Sequence, residues 1–204
     1  MPILLVRHGE TIDNAQRILQ TPESPLSENG ITQAKLLATR LKSKNVQRVI
    51  CSDHHRTQQT AQCIQEQLKL DTSAHKELRE RSFGDWRGLA HDAFNFNPFD
   101  HSKVPPNGES ISDFHQRISN AWQLITDIAA QTDGDLLVIT HGLVCKALVE
   151  NHVHLKQDMA VPSHWGNTAL SIIEQSPPWT AIQLNCTAHL TEQLNKATDD
   201  GAIV

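Results

Sequence analysis

Three short apolar runs, each followed by polar residues and a helical pattern, constrain the fold of this chain more than any other feature. The runs span residues 3–6, 46–51 and 136–140, and each has the length of a buried β-strand. Helically spaced apolar residues separate them. This alternation predicts an α/β protein with a three-layer α/β/α fold, a mostly parallel central sheet and right-handed crossovers.

Four helices are expected between and after these strands. Ser27 is expected to cap the first helix, and Ser52-Asp53 to open the second. Ser110 or Ser112 is expected to cap the third, and a fourth is expected over about 143–151. The predicted apolar faces of the first three are Ile31, Ala34, Leu37, Ala38 and Leu41; Thr57, Ala61, Ile64 and Leu68; and Ile111, Phe114, Ile118, Ala121, Ile125 and Ile128.

The length of 204 residues suits one domain, and no shift in composition marks a linker. Residues 1–204 are therefore expected to form a single domain. Within it, residues 89–108 are rich in aromatic residues and end in Pro105, Pro106 and Gly108. Such a segment predicts a short lid-like insert between core elements.

The remaining strands are marked more weakly. Residues 72–76 form a weak strand candidate. The runs 169–174 and 180–184 flank Ser176-Pro177-Pro178, which predicts a hairpin at the sheet edge. Beyond Thr191 the apolar content falls, and the tail is expected to fray.

The charge distribution limits the kind of partner. The formal net charge is −5, with acidic and basic residues interspersed. Proteins that bind nucleic acids or membrane surfaces usually carry a basic face or tail, so neither partner is expected. Small molecules are the expected partners, and the sequence leaves the oligomeric state open.

Cysteine usage and the amino terminus indicate the compartment. Cys51, Cys63, Cys145 and Cys186 form no C-x-x-C pair and lie in or beside apolar runs. Buried free thiols in a reducing compartment fit this pattern better than disulfides or a zinc site. The run at 3–6 is too short for a signal peptide or a membrane helix. A cytoplasmic protein is therefore expected.

Polar residues that suit an anion follow all three strands. Arg7 and His8 end the first strand, Arg56 lies one helical turn beyond the second, and His141-Gly142 follows the third. The carboxyl ends of parallel strands meet at one edge, beside helix amino termini that favour anions. The planar, permanently charged fork of arginine suits a tetrahedral oxyanion, so a phosphate site is expected. Taken singly, the arginines could equally be salt-bridged structural residues, and His141 a core histidine.

Motifs spread along the chain resemble the histidine phosphatase superfamily in its phosphoglycerate-mutase-like branch. Four motifs occur in the family's order, and a linking pattern joins the first two. They are Leu5-Val6-Arg7-His8-Gly9-Glu10-Thr11 with Asn14; Cys51-Ser52 with Arg56, Thr57 and Thr60; Leu78-x-Glu80-x-x-Phe83-Gly84-x-Trp86; Thr140-His141-Gly142; and the linking pattern Pro25-Leu26-Ser27-x-x-Gly30-x-x-Gln33-Ala34.

The resemblance implies a role for each matching residue. His8 matches the nucleophile, which forms a phosphohistidine that water then hydrolyses. Glu80 matches the acid that protonates the leaving oxygen, and it is selected over its neighbour Glu77. The residues expected to bind the phosphate are Arg7, Asn14, Thr21, Arg56, His141 and Gly142, and Arg7, Arg56 and His141 are also expected to be catalytic by stabilising charge in the transfer. Because fixed donors supply the electrostatics of transfer, no metal ion and no cofactor is expected.

Several residues keep two interpretations. His54-His55 and the pair His152 and His154 suggest a metal site, but no acidic or cysteine cluster accompanies them, and surface positions are favoured. In the lid, Phe94, Phe96, Phe99 and His91 serve either as lid core or as substrate contacts.

The branch contains both phosphatases and cofactor-dependent mutases. The short segment 89–108 and Trp86 resemble the small phosphatases, whereas the pair Glu80-Arg81 is common in mutases. Two departures from the family pattern border the expected pocket: Thr21-Pro22 replaces a usual glycine, and Arg87 replaces a usual acid. We therefore expect a phosphatase for a small phosphomonoester of open identity, with a phosphoglycerate mutase as the alternative and a non-catalytic phospho-ligand binder as a lesser one.

Overall fold

Seven strands of the described residues form one sheet. The computed structural model describes residues 2–174 and 178–195. The strands are β1 (Ile3–Arg7), β2 (Val46–Ser52), β3 (Thr72–His75), β4 (Asp135–Thr140), β5 (His154–Leu155), β6 (Leu170–Glu174) and β7 (Thr180–Cys186). Their order is β3-β2-β4-β1-β6-β7-β5, and only β6 runs antiparallel to its neighbours.

Five α-helices and three 3-10 turns connect the strands within these residues. The helices are α1 (Ile12–Ala15), α2 (Glu28–Leu41), α3 (His55–Leu68), α4 (Ile111–Ala130) and α5 (Gly142–His152). The 3-10 turns are Lys76–Leu78, Gly84–Trp86 and His91–Ala93.

Alternation along β1 shows why the molecule has three layers. Ile3 and Leu5 face a core shared with α4 and α5, while Leu4 and Val6 face a core shared with α2 and α3. Successive side chains of a strand point to opposite faces, so a wholly apolar strand needs helices on both sides. The predicted α/β/α fold with a mostly parallel sheet is confirmed.

The helix starts confirm two of the predicted caps and correct a third. Ser27 accepts the N–H of Gly30 at 3.0 Å and caps α2, and Ser110 caps α4 by accepting the N–H of Asp113 at 3.1 Å. Helix α3 begins later than predicted, with His54 at its N-cap. The Ser52 hydroxyl instead accepts the N–H of His54 at 3.3 Å, and it also lies 2.9 Å from Nε2 of His141.

The predicted hairpin is confirmed as a β6–β7 pair, but its place at the sheet edge is wrong. Strand β6 pairs with β1 on its other side, and the two-residue strand β5, which the sequence analysis missed, covers β7. Of the predicted turn, Ser176 and Pro177 lie outside the described residues. In the tail, 192–195 form a helical turn, and the residues from 196 onward lie outside the described part.

The segment 89–108 contains one 3-10 turn and is otherwise irregular. It packs against the α4 and α5 side of the sheet through Phe94 and Phe99. Of the four free thiols, Cys51 and Cys145 are buried as predicted, whereas Cys63 and Cys186 are only half-buried. None of the helices among the described residues is long and apolar enough to cross a membrane.

Candidate active site

The carboxyl ends of three adjacent parallel strands form the base of the site. Strand β4 lies between β1 and β2, and the register aligns Arg7 with Thr140 and Cys51 with Ile139. Each of the three strands leads directly into the residues predicted from the sequence. The polar residues that follow the three strands therefore meet at one edge of the sheet, as the sequence analysis predicted.

The ring of His8 is buried and held by both nitrogens. Nδ1 lies 2.7 Å from the carbonyl oxygen of Gly9, which only accepts, so Nδ1 carries the proton. Nε2 then accepts the Nε–H of Arg56 at 3.2 Å. Burial, together with the charges of Arg56 and Arg7, holds the pKa of His8 well below its usual value. His8 is therefore neutral near pH 7, with the Nε2 lone pair directed at Arg56.

Two buried arginines flank this ring. Arg56 donates from Nη1 to the carbonyl oxygen of Thr21 at 2.8 Å, and Arg7 donates from Nη1 to the carbonyl oxygen of Trp165. The Nε–H of Arg7 is buried and has no partner among the described residues. Burial lowers the pKa of Arg56 to about 10, which leaves it charged at neutral pH. Neither arginine belongs to an ion pair with a described residue, so the salt-bridged interpretation does not hold.

His141 completes the group. Its ring meets that of His8 edge-on at a centroid distance of 5.2 Å, and its Nε2 lies 2.9 Å from the Ser52 hydroxyl. Its Nδ1 is buried without a partner among the described residues. Burial, reinforced by the nearby charge of Arg56, lowers the pKa of His141 well below its usual value. We call Arg7, His8, Arg56 and His141 the floor of the site.

Glu80 lies above the floor, on the loop after the first 3-10 turn. Its Oε1 accepts the N–H of Arg81 at 2.9 Å, and its Oε2 accepts the N–H of Leu143 at 3.2 Å, in the first turn of α5. Withdrawal of the carboxyl group from solvent raises the pKa of Glu80, although these two hydrogen bonds and the nearby arginines oppose the rise. The carboxyl group is thus positioned beside the floor and biased toward its protonated form.

A sequence profile of the histidine phosphatase superfamily (branch 1) matches residues 3–186, and all the residues above lie in that range. The chain belongs to this superfamily. The protein named "Probable phosphoglycerate mutase GpmB" of Yersinia pestis (strain Pestoides F) is 30% identical over 193 residues, which cover 89% of this chain and 88% of the relative.

Solved structures agree with this membership. The α-ribazole phosphatase from Shigella flexneri superposes with a TM-score of 0.76 at 27% identity, covering 94% of this chain and 100% of that one. A phosphoglycerate mutase from Bacillus anthracis str. Sterne gives a TM-score of 0.79 at 26% identity, covering 97% and 96%. The predicted phosphoglycerate-mutase-like branch is therefore confirmed. The relatives named here include both a phosphatase and mutases.

A pocket is lined by Arg7, His8 and Arg56 of the floor and by Glu80. Of the other predicted phosphate-binding residues of this superfamily member, Asn14 and Gly142 also line this pocket, and Thr21 does not. Asn14 uses its Oδ1 to accept the N–H of Thr11 at 3.3 Å, which leaves its amide NH2 for the pocket it lines. Gly142 also lines the pocket, where a Cβ would lie 3.6 Å from Nε of Arg7. Thr21 does not line it, because its N–H and hydroxyl face Ser24 and only its carbonyl oxygen reaches Arg56.

The lid divides into two parts. His91 and Phe99 line the pocket, and their rings meet edge-on at 5.3 Å. Phe94 and Phe96 instead pack on Trp86 at centroid distances of 5.4 Å. The question left open for the four lid residues is thereby divided: one pair lines the pocket, and the other pair packs on Trp86 outside it, with Phe96 remaining exposed.

The predicted surface positions of the four histidines are right for His55 and His154, which are exposed. They are wrong for His54, which is buried against His141 at a ring distance of 5.0 Å, and for His152, which stacks on Trp122. Within residues 2–174 and 178–195, no group of three or more histidine, cysteine or acidic side chains is arranged to hold a metal ion.

A segment before β6 supports the floor, and sequence reasoning missed it. The N–H of Thr168 donates to the carbonyl oxygens of Arg7 and His8 at 3.1 and 3.3 Å, and Asn167 Nδ2 donates to the same His8 oxygen at 3.0 Å. Trp165 accepts from Arg7 as described above. The polar cluster Gly166-Asn167-Thr168 immediately before a strand was the available signal. Other missed pocket residues are Ile18, Leu19, Gln20, His54, Arg81, Phe83 and Leu143, whereas Arg87 lines the pocket that the sequence analysis expected it to border.

Proposed function

We propose that this protein is a phosphomonoester hydrolase that acts on a small phosphorylated metabolite through a phosphohistidine on His8, with Glu80 as the proton donor. The observation that carries the proposal is the state of His8. Its proton is on Nδ1 and its Nε2 lone pair lies among Arg7, Arg56 and His141. A neutral imidazole with one fixed proton and one free lone pair is what a nucleophilic histidine requires.

In the first step, Nε2 of His8 attacks phosphorus as the bond from phosphorus to the ester oxygen breaks. Arg7, Arg56 and Asn14 donate to the non-bridging oxygens, and Arg56 exchanges its contact with Nε2 for one with phosphate. Glu80 gives its proton to the leaving oxygen, so an alcohol departs. In the second step, water attacks the phosphohistidine, the Glu80 carboxylate takes a proton from that water, and inorganic phosphate leaves.

The groove beside the pocket supports hydrolysis over transfer back to a product. The pocket itself is small, with a volume of about 40 Å³, but Glu80, His54 and Arg87 border both the pocket and an open groove of about 1340 Å³. Under the proposal, water reaches the phosphohistidine from that groove. A mutase has to exclude water while its intermediate waits for product, which is the usual task of a closing lid.

The test is phosphate release from a panel of phosphomonoesters, with EDTA present and no added metal. We expect release by the wild type, none by His8→Ala, and unchanged release by His55→Ala, a control histidine that is exposed at the start of α3. An acid-labile phosphoryl adduct should be trapped on the wild type and on His55→Ala, but not on His8→Ala. Release by His8→Ala at the wild-type rate would exclude the nucleophile, and release that needs a divalent cation would exclude metal independence.

A cofactor-dependent phosphoglycerate mutase is the second candidate, since two of the relatives carry that name. The buried Arg81, whose Nη1 has no partner among the described residues, also lines the pocket and could hold a second charged group. Interconversion of 2- and 3-phosphoglycerate, measured with and without 2,3-bisphosphoglycerate, separates the two. Interconversion faster than phosphate release would replace the hydrolase proposal.

A further inference from the structure

Three arginines line the open groove beside the pocket, and only one of them lacks an acidic partner. Arg79 donates to both carboxylate oxygens of Asp53 at 2.7 and 2.5 Å. Arg117 donates to both carboxylate oxygens of Glu109 at 2.9 and 2.7 Å. Arg87 makes one hydrogen bond, from Nη2 to the Ser82 hydroxyl at 3.1 Å, and forms no ion pair with a described residue. Its Nε and Nη1 donors are therefore uncommitted.

Two acidic side chains of the same irregular segment do not compensate Arg87, because each already has other partners. Glu80 accepts two backbone N–H groups, and Asp85 accepts Nδ2 of Asn107 at 2.9 Å. The cation thus keeps its charge available to a ligand. An arginine that is partly buried and has no acid is unusual next to two bidentate pairs, since a guanidinium fork otherwise binds carboxylates readily.

Arg87 lies on the side of the site where the leaving group departs. It borders both the pocket and the groove, as do Glu80 and His54. Under the proposed function Glu80 protonates the leaving oxygen, so the alkyl part of the substrate extends past Glu80 toward the groove. Arg87 also lines the pocket together with His54 and Arg56.

The backbone fixes Arg87 in this place. Its N–H donates to the carbonyl oxygen of Gly84 at 3.3 Å, and the N–H of Gly88 donates to that of Leu19 at 2.7 Å. Gly88 has a φ of 81°, a conformation that turns the chain back after Arg87 and that other residues rarely adopt. The backbone of Arg87 is thus fixed at the border between the pocket and the groove, and the hydrogen bond to Ser82 orients its guanidinium.

We propose that Arg87 is a specificity-determining residue that binds a second anionic group, a carboxylate or a phosphate, on the leaving part of the substrate. The inference rests on the proposed function, because it assumes that the floor binds the phosphate to be removed.

The test uses substrate pairs that differ only in the second anion. 3-Phosphoglycerate is compared with glycerol 3-phosphate for the carboxylate, and glycerol 1,3-bisphosphate with glycerol 3-phosphate for the phosphate, allowing twofold for its two equivalent esters. The wild type should favour the member with the second anionic group in at least one pair, and Arg87→Gln should lower kcat/KM for that member about 10- to 100-fold, mainly through KM. Glycerol 3-phosphate, which lacks the second anionic group, should change less than about twofold, a difference that a general loss of structure would not produce.

Arg79→Gln is the matched control, because it removes the same charge from the same groove at an arginine that is already paired with an acid. Arg79→Gln should leave the ratio of the two kcat/KM values within each substrate pair unchanged. An equal loss of this ratio in Arg79→Gln, or no preference of the wild type for either substrate with a second anionic group, would overturn the inference while the hydrolase proposal stands. Failure to release phosphate from any panel member would instead overturn the hydrolase proposal.

Discussion

The floor of the site and the rim above it are built in different ways. Each floor residue is buried and lies at a strand end, directly after one, or in the first turn of a helix. The chain from 76 to 108, which we call the rim, carries Glu80, Arg87, His91 and Phe99 and has no regular structure except three 3-10 turns. The difference teaches that, under the proposed function, strand ends and helix starts hold the nucleophile and the phosphate-binding groups, while an irregular segment supplies the proton donor Glu80 and shapes the space for the rest of the substrate.

The largest effect is expected when the floor loses a fixed charge. Arg56→Met should lower kcat/KM about 100- to 1000-fold for every phosphomonoester alike, since the lost donor faces the phosphate that all of them share. Arg48→Met, at an exposed arginine of β2, is the control and should retain activity. Steady-state kinetics on several esters measure both variants. A loss that varied strongly among esters would place Arg56 in substrate selection and remove the distinction between floor and rim.

A smaller loss, about 100-fold, is expected for Glu80→Gln on alkyl esters, whose leaving oxygen needs a proton. On p-nitrophenyl phosphate, whose leaving group needs no proton, the loss should fall below about tenfold. Glu77→Gln is the control, because Glu77 is the neighbouring acid that sequence reasoning could not discard by itself. If Glu77→Gln showed the leaving-group dependence and Glu80→Gln did not, the two assignments would be exchanged.

The pH profile connects floor and rim. His8 must be neutral, and its pKa is lowered by burial and by Arg56 and Arg7, so activity should persist below the usual histidine pKa and fall only in more acidic solution. Glu80 must be protonated, and its pKa is raised by burial, so activity on alkyl esters should fall as pH rises through that pKa. The alkaline limb of kcat/KM should disappear in Glu80→Gln. An alkaline limb that remained in this variant would exclude Glu80 as the acid.

The smallest effect is expected within the lid. Phe99→Ala should raise KM about three- to tenfold for esters with apolar leaving groups, because it removes a ring that lines the pocket. Phe96→Ala should change KM less than about twofold, since Phe96 packs on Trp86 away from the pocket. KM values for a short series of alkyl phosphates measure the contrast. Equal changes in KM for the two variants would contradict the distinction between lid residues that line the pocket and lid residues that pack away from it.

Local patterns were sufficient for much of the floor. The three apolar strands, their alternation with helices and the polar residues at their ends are all local features, and parallel pairing brings strand ends together without further information. Ser27 and Ser110 were recognisable as caps because a cap depends on neighbours within three residues. For Glu80, the choice over Glu77 came from the family pattern.

Residues remote in sequence could not be placed in this way. The segment Trp165–Thr168 reaches the floor because β6 runs antiparallel beside β1, so the residues before β6 meet the end of β1. The sequence analysis expected a hairpin at the sheet edge, where this meeting would not occur. Thr21 was expected to contact phosphate directly, but the turn through Ser24 directs its N–H and hydroxyl away.

The sequence by itself determined the α/β layering, the strand ends that carry Arg7, His8 and His141, and the superfamily. These follow from periodicity and from residues adjacent in the chain. Only the tertiary structure decided which protonation state of His8 its neighbours select, which lid rings face the pocket and which arginine of the groove lacks an acid. Each of these depends on distances between groups far apart in sequence, and a partner across the fold settles whether a charge or a lone pair is left available.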